Sequence, residues 1–274
     1  MLETRFQADF KRHQASHSGL AQIQNGLAPR RLKGLPNSSV AQLKLSLTRQ
    51  RRLFISMDSA TRLASNSRVD IPFEYSFSFM GASLRPELAR IIAEIYLESS
   101  DWKATKERVL STNALQLRAA SSAARLEGEL RHRLATLTHR QIVLLAEATS
   151  EDRSAIAWLS AIKHARFVFD FASELLREKL ELKDQFLRQS DYESFVETKS
   201  ITHPELGRLA NSSKYKIKQI LLRMLAEADL LRKGDGLGTI HRPVLSPSVI
   251  RVIKSDSPHW LAGFLVPDGE IGGL

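Results

Sequence analysis

Six side chains able to grip a polyanion fall close together in "NSSKYKIKQILLRMLAEADLLRKGDGLGTIHRPVL", residues 211–245: Ser212, Ser213, Tyr215, Lys216, Gln219 and Arg223. Lysine and arginine carry fixed positive charge and donate to phosphate oxygens or to guanine. A glutamine amide matches the paired donor and acceptor of adenine, and serine and tyrosine hydroxyls donate to phosphate. Arg232, Lys233 and Arg242 follow around a glycine-rich stretch. The chemistry is recognition, with no bond made or broken.

These groups act together only if one element presents them on one side. Lysines at 214, 216 and 218 alternate as on a strand, but three consecutive apolar residues, Ile220, Leu221 and Leu222, break that alternation. Advancing about 100° per residue from Ile217 gathers Ile220, Leu221, Met224 and Ala228 into one stripe. Ser212, Tyr215, Lys216, Gln219, Leu222 and Arg223 then face the other way, so a helix is expected. Upstream, "HPELGRLANSS" reads as a short helix, a turn and capping serines. Downstream, Asp235-Gly236 between Gly234 and Gly238 reads as a hairpin turn within 229–243. Helix, turn, helix and basic hairpin form the winged-helix arrangement, whose last helix enters a DNA groove while the wing lies on the backbone. A solvated amphipathic helix beside an unrelated turn, and a winged helix that docks protein, stay open as alternatives.

A fainter copy precedes it. "SSAARLEGELRHRL" (121–134) aligns without gaps on "SSKYKIKQILLRML" (212–225), with Arg125 opposite Lys216 and His132 opposite Arg223. Ser121, Ser122 and Arg125, with Arg118 just before them, make a possible second nucleic-acid site. The wheel turns Arg131 and His132 outward too, and core packing with solvated charge explains the same pattern.

The elements that must position these groups are mostly helical. Residues 1–72 read as a basic extension, partly disordered or in short helices, broken by Gly26, Pro29, Gly34 and Pro36. A lead-in with alternating aromatics, "FEYSFSFMGAS", opens a helical domain over 73–188, within which a helix-turn-helix-like arrangement is open. Pro86 starts a helix, Ser100 or Asp101 caps the next, and Thr138 with Gln141 has capping-box spacing. "SEDRSAIAWLSAIKHARFVFDFASELLREKLEL" reads as a central core helix or a bent pair. Residues 189–264 form the winged-helix-like domain and 265–274 a tail. The expected class is all-α, with a multi-helix domain followed by a winged-helix-like C-terminal domain carrying a small β-hairpin.

Charge follows this division. The chain of 274 residues has a net charge of +10, with 12 Lys/Arg against 3 Asp/Glu in residues 1–69 and 9 against 3 in 211–254. Two basic regions thus flank a nearly neutral body, the footprint of a polyanion binder. With no cysteine in the chain, disulfides, thiolate ligands and a cysteine nucleophile are excluded. No apolar run is long enough to span a bilayer, and "MLETRFQADFKRHQ" lacks a signal-peptide core. A soluble cytoplasmic protein is expected. No HExxH, G-x-S-x-G or P-loop motif occurs, and the eight histidines show no metal spacing. No catalytic residue, metal site or cofactor is expected. Glu147, Glu151 and Asp152 read as helix-starting acids, and Trp102, Trp158 and Trp260 as core residues.

Four ordered blocks resemble the BrxA family, the small all-helical component of bacteriophage exclusion (BREX) defence systems. They are "YSFSFMGASLRPELARIIAEIYLESSDWKATKERVL", "RAASSAARLEGELRHRLATLT", "AWLSAIKHARFVFDFASELLREK" and "HPELGRLANSSKYKIKQILLRMLAEADLL", and the likeness covers about residues 75–264. The resemblance implies a non-enzymatic DNA-binding accessory protein working beside a site-specific adenine methyltransferase and other BREX proteins. The family's likeness to an RNA-binding antitermination factor keeps RNA open as a ligand, and a protein-docking role within the complex is the other alternative. An inner-membrane label carried by some members finds no support in the hydropathy, so no membrane partner is expected. Residues 1–72 have no counterpart in the family, Gly81-Ala82 stands where a glycine pair is expected, and "LVPDGEIGGL" runs past the usual end.

Overall fold

The computed structural model describes residues 74–273, so the basic extension expected over 1–72 lies outside the described residues. Helices dominate, as the periodicity requires, and local chemistry sets their ends. After a 3-10 turn at Ser78–Gly81, Pro86 opens α1 (Pro86–Ser99). Asp101, not Ser100, caps α2 (Trp102–Ser111), its carboxylate accepting from the amides of Lys103 and Ala104 at 3.0 and 3.1 Å. α3 is Ala120–Leu134 and α4 His139–Glu147, the latter begun by the expected Thr138/Gln141 capping box. Glu147 ends α4, and only Glu151 and Asp152 lie in the first turn of α5 (Ser150–His164).

The long apolar segment is a bent pair. Ala165 leaves helical geometry (φ −122°, ψ 101°), and a second helix, α6 (166–181), follows with a π-helical stretch at Phe171–Leu176. Both are buried over much of their surface because other helices pack around them. Trp158 is fully buried and donates Nε1 to the Gly263 carbonyl at 2.9 Å. A Cβ at Gly263 would meet Ile162 at 2.6 Å, so glycine is what allows this close approach. Trp102 stacks on Tyr96 and Trp260 packs edge-on to Phe169.

The C-terminal third contains α7 (Gln189–Thr202), α8 (Pro204–Arg208), α9 (Asn211–Glu227), α10 (Pro247–Lys254) and α11 (Asp268–Gly273), with a 3-10 segment at Pro258–Phe264. The hairpin forms from β2 (Leu231–Arg232) and β3 (Gly238–Ile240). A strand that the sequence pattern did not indicate, β1 (Phe186–Leu187), completes an antiparallel sheet of order β1-β3-β2. Two residues are too few to show alternation, so β1 exists only through its pairing with β3. One hydrophobic cluster runs from Tyr75 to Val266, drawing on both the helical segment and the segment around the sheet.

Electrostatic links hold β1 in place. Arg188 and Lys179 both donate to Asp184 Oδ2 at 2.7 Å, and Asp184 Oδ1 accepts from the Phe186 amide. The Arg188 guanidinium, then the Lys179 ammonium, hold the Asp184 carboxyl well below the usual carboxylate range. A group with a depressed folded pKa stabilises above its unfolded pKa of about 3.9, and that contribution disappears as pH falls through the folded value. Asp184→Asn should therefore lower the melting temperature at neutral pH, and its deficit against wild type should shrink steadily in acid. Thermal denaturation across an acid pH series checks this; a deficit independent of pH would reject it.

Candidate nucleic-acid interface

Helix α9 carries the candidate site, and its two sides divide largely as the wheel predicts, with Ile220 half-buried. Ile217, Leu221 and Met224 are buried, whereas Ser212, Tyr215, Lys216, Gln219 and Arg223 are exposed. Leu225 is also fully buried, and Leu222 packs partly against the core instead of pointing into solvent. Neither Lys216 nor Arg223 forms an ion pair among the described residues. Both charges are therefore free to meet a polyanion.

The serines play a different part from the one expected. Helix α9 begins at Asn211 after Ala210, and no side chain caps it. Its first intrahelical bond is Lys214 N–H to the Ala210 carbonyl at 3.0 Å. Ser212 and Ser213 lie inside the first turn, so the leading amides stay uncapped. Such a turn offers N–H donors and the positive end of the helix dipole to an anion. α3 repeats this detail: it starts after Ala119 with no side-chain cap, placing Ser121 and Ser122 in its first turns.

Gln219 Nε2 donates to Tyr215 Oη at 2.8 Å, one helical turn away, and Tyr215 as a whole is 47% exposed. Lys218 Nζ lies 5.9 Å from the ring centres of both Tyr215 and Tyr192 and donates to Gln189 Oε1 at 3.0 Å. Burial raises the Tyr192 phenol to about 12, so it is neutral at physiological pH. Lys218 was not among the expected contacts; its half-buried stem ties α9 to α7.

The hairpin's cations are mostly engaged within the chain. Arg232 forks onto Asp229 at 2.8 and 2.9 Å, and Arg242 pairs bidentately with Glu270. The Arg232 guanidinium, with help from His241, keeps Asp229 ionised below the usual range, and Arg242 does the same for Glu270. Lys233 is exposed and unpaired among the described residues. Turn geometry explains the glycines: Gly236 and Gly238 have φ of +67° and +140°, and a Cβ on Gly238 would lie 2.6 Å from the Arg232 carbonyl oxygen.

Of the possible second set, Arg118, Ser121, Ser122 and Arg125 are all exposed around the start of α3, and His132 is exposed further along it. Arg131 does not point freely outward: its Nε donates to the buried Glu127 at 2.8 Å. The next arginine, Arg133, is wholly buried.

Two residues that hold α9 in place went unassigned in the sequence. At the end of α9, the Glu227 carboxylate accepts from Ser83 Oγ at 2.8 Å and from the amides of Leu84 and Arg85 at 2.6 and 3.2 Å. From α3, Arg133 donates to the carbonyls of Phe79, Ala82 and Ser83 at 3.1, 2.7 and 2.9 Å. The short segment 79–85 is thus held on its N–H side by α9 and on its carbonyl side by α3. A Glu129-x-x-x-Arg133 spacing was visible in the sequence, but nothing there marked it as buried.

Among the described residues no cluster of three or more His, Cys, Asp or Glu side chains could hold a metal, and no helix is long and apolar enough to cross a membrane.

Comparison with known proteins gives a consistent result. A family model described as BrxA matches residues 73–257. A protein named "BREX protein BrxA" from Bacillus cereus (strain H3081.97) is 29% identical over 150 residues, which cover 55% of this chain and 75% of that one. Another of the same name from Escherichia coli O9:H4 (strain HS) is 28% identical over 149 residues, covering 54% and 70%. A solved structure, "Crystal structure of an uncharacterized protein from Magnetospirillum magneticum", matches with a TM-score of 0.62 at 18% identity over 70% of this chain and 98% of that chain, a likeness of fold.

Proposed function

The chain belongs to the BrxA family, and from that premise we propose that it is a non-enzymatic DNA-binding accessory protein of a BREX-type phage-defence system. It binds duplex DNA mainly through the phosphate backbone, with other BREX proteins as partners. The observation that carries this reading is the exposed, unpaired cationic side of α9, with Lys216 and Arg223 beside Gln219 and Tyr215.

A winged-helix reading of the C-terminal region draws support from the sheet. In such a unit a strand between the first two helices joins the wing hairpin, and the last helix precedes that hairpin. Here β1 follows α6, α9 precedes β2, and the order is β1-β3-β2. On this reading α6 and β1 belong to the winged unit, which then starts upstream of residue 189. Helix α9 is the recognition helix and the Gly234–Gly238 turn the wing, armed chiefly by Lys233. Ser212, Ser213 and the uncapped amides at the start of α9 hold one phosphate; Lys216 and Arg223 hold others. Arg118, Ser121, Ser122 and Arg125 offer a second backbone contact on α3.

Counterion release gives the test. Each neutralised phosphate contributes about −0.9 to the slope of log affinity against log salt. Contacts by the α9 start, Lys216, Arg223 and Lys233 predict a slope of roughly −3 to −4 for the whole chain on duplex DNA. Fluorescence anisotropy across a salt series measures it. No binding at low salt would reject the proposal, and preference for RNA over duplex DNA at matched salt would transfer it to RNA.

A further inference from the structure

We propose that Gln219, set by Tyr215, reads an adenine in the major groove, so that the interface prefers an A·T pair at one position. This inference rests on the DNA-binding reading and adds the base that the site selects.

The first argument is placement. On the helical wheel Tyr215, Gln219 and Ala226 stand about 160–180° from the buried Ile217, along the outermost line of α9, and all three are exposed. That line is uncharged. Lys216 and Arg223 border it on one side, Lys214 and Lys218 on the other. A helix lying in a groove meets the two phosphate backbones with its flanks and the base edges with its crest. Free cations on one flank, Lys216 and Arg223, and an amide at the crest match that division, while on the other flank Lys218 is held against α7 by Gln189. The small Ala226 side chain lets the crest come close.

The second argument is the amide's hydrogen-bond inventory. A glutamine amide has two N–H donors and one carbonyl acceptor. A free one can present two donors to the acceptors of guanine, or one donor and one acceptor to adenine. In this structure one N–H of Gln219 is committed to Tyr215 Oη at 2.8 Å. What remains is one donor and one acceptor, the complement of adenine N7 and the N6 amino group. Against guanine, Gln219 Oε1 would face O6, acceptor to acceptor. Tyr215 thereby turns an ambivalent amide into a selective one. Its hydroxyl hydrogen stays free to donate to a phosphate, which couples the reading of the base to the grip on the backbone. Lys218, 5.9 Å from the Tyr215 ring centre, steadies the ring.

The test selects duplexes with a randomised central block using the full chain, then measures affinity for the best duplex and for its A·T-to-G·C replacement at one salt concentration. Wild type should discriminate about 5- to 150-fold, the range of one bidentate base contact. Gln219→Ala should lose the discrimination while keeping the salt slope. Tyr215→Phe, which retains the ring and leaves the Gln219 amide in place, should keep base contact but reduce adenine-over-guanine selection. Circular dichroism confirms that the variants are folded, as expected for two exposed positions. Wild type that binds duplexes without base preference, or Gln219→Ala with the preference intact, overturns the inference and leaves the function standing. Failure of wild type to bind any duplex in dilute salt overturns both.

Discussion

Exchanging Lys216 and Arg223 together for glutamate should abolish duplex binding without changing helical content. Each is exposed, and neither is ion-paired among the described residues, so no internal partner competes for its charge. A charge-assisted hydrogen bond contributes about 1.5–3 kcal/mol, and losing two gives about 3–6 kcal/mol, at least a hundredfold in affinity. Reversal adds repulsion from the phosphates, so this is a lower bound. The salt slope should become shallower by about two units. Substitutions at exposed positions change stability by only about 0.5 kcal/mol, so a folded, non-binding protein is the expected result.

The hairpin supplies the internal control. Arg232→Glu and Arg242→Glu should each weaken binding much less, because Asp229 and Glu270 already hold those guanidinium groups. A protein-docking role for α9 makes the opposite prediction. The Lys216/Arg223 double variant would then keep its DNA affinity and lose co-purification with the other proteins of the system.

Periodicity made α9 legible because a helix with one buried stripe writes its orientation into the spacing of Ile217, Leu221 and Met224. The hairpin was legible for a different reason: turns with positive φ demand glycine, and Gly236 and Gly238, both at positive φ, lie there beside Gly234. Caps with a side-chain partner also appeared correctly at Thr138 and at Asp101, one of two candidates. The errors share a cause. Ser212 and Ser213 looked like caps because serine favours that position, yet Ala210 occupies it and frees the amides that the proposed interface uses. Strand β1, the pairing of Arg242 with Glu270 and the burial of Arg133 all depend on partners distant in sequence. Local pattern carries no record of such partners. Charge shows a similar limit: Arg125, Arg131 and Arg133 look alike in sequence, and they end exposed, half-paired and buried.

The largest effect on stability should come from Arg133→Ala. The guanidinium is 1% exposed and sends its donors to Glu129 Oε1 at 2.8 Å and to the carbonyls of Phe79, Ala82 and Ser83. Burial pulls its pKa below the usual guanidinium value, while the Glu129 carboxylate pulls it back up. The ion pair by itself is weak evidence for stability, since the cost of removing two charges from water can match their attraction. Breaking one side is different. It strands the Glu129 carboxylate, at a cost of about 3–5 kcal/mol, and leaves three carbonyls without a donor, each about 1–3 kcal/mol unless water enters. Against a typical total of about 5–15 kcal/mol, the variant should be unfolded or close to it, as urea denaturation followed by circular dichroism would show. Arg133→Met with Glu129→Gln separates the two terms. It removes the stranded charge but leaves the carbonyls, so it should recover only part of the loss. Full recovery would mean that the carbonyl contacts to 79–83 contribute nothing. Because Glu227 grips the same segment from the end of α9, the partly recovered variant should also bind DNA less tightly, although every side chain of the proposed interface is intact. Undiminished affinity in that folded variant would separate the placement of α9 from the Arg133 clamp.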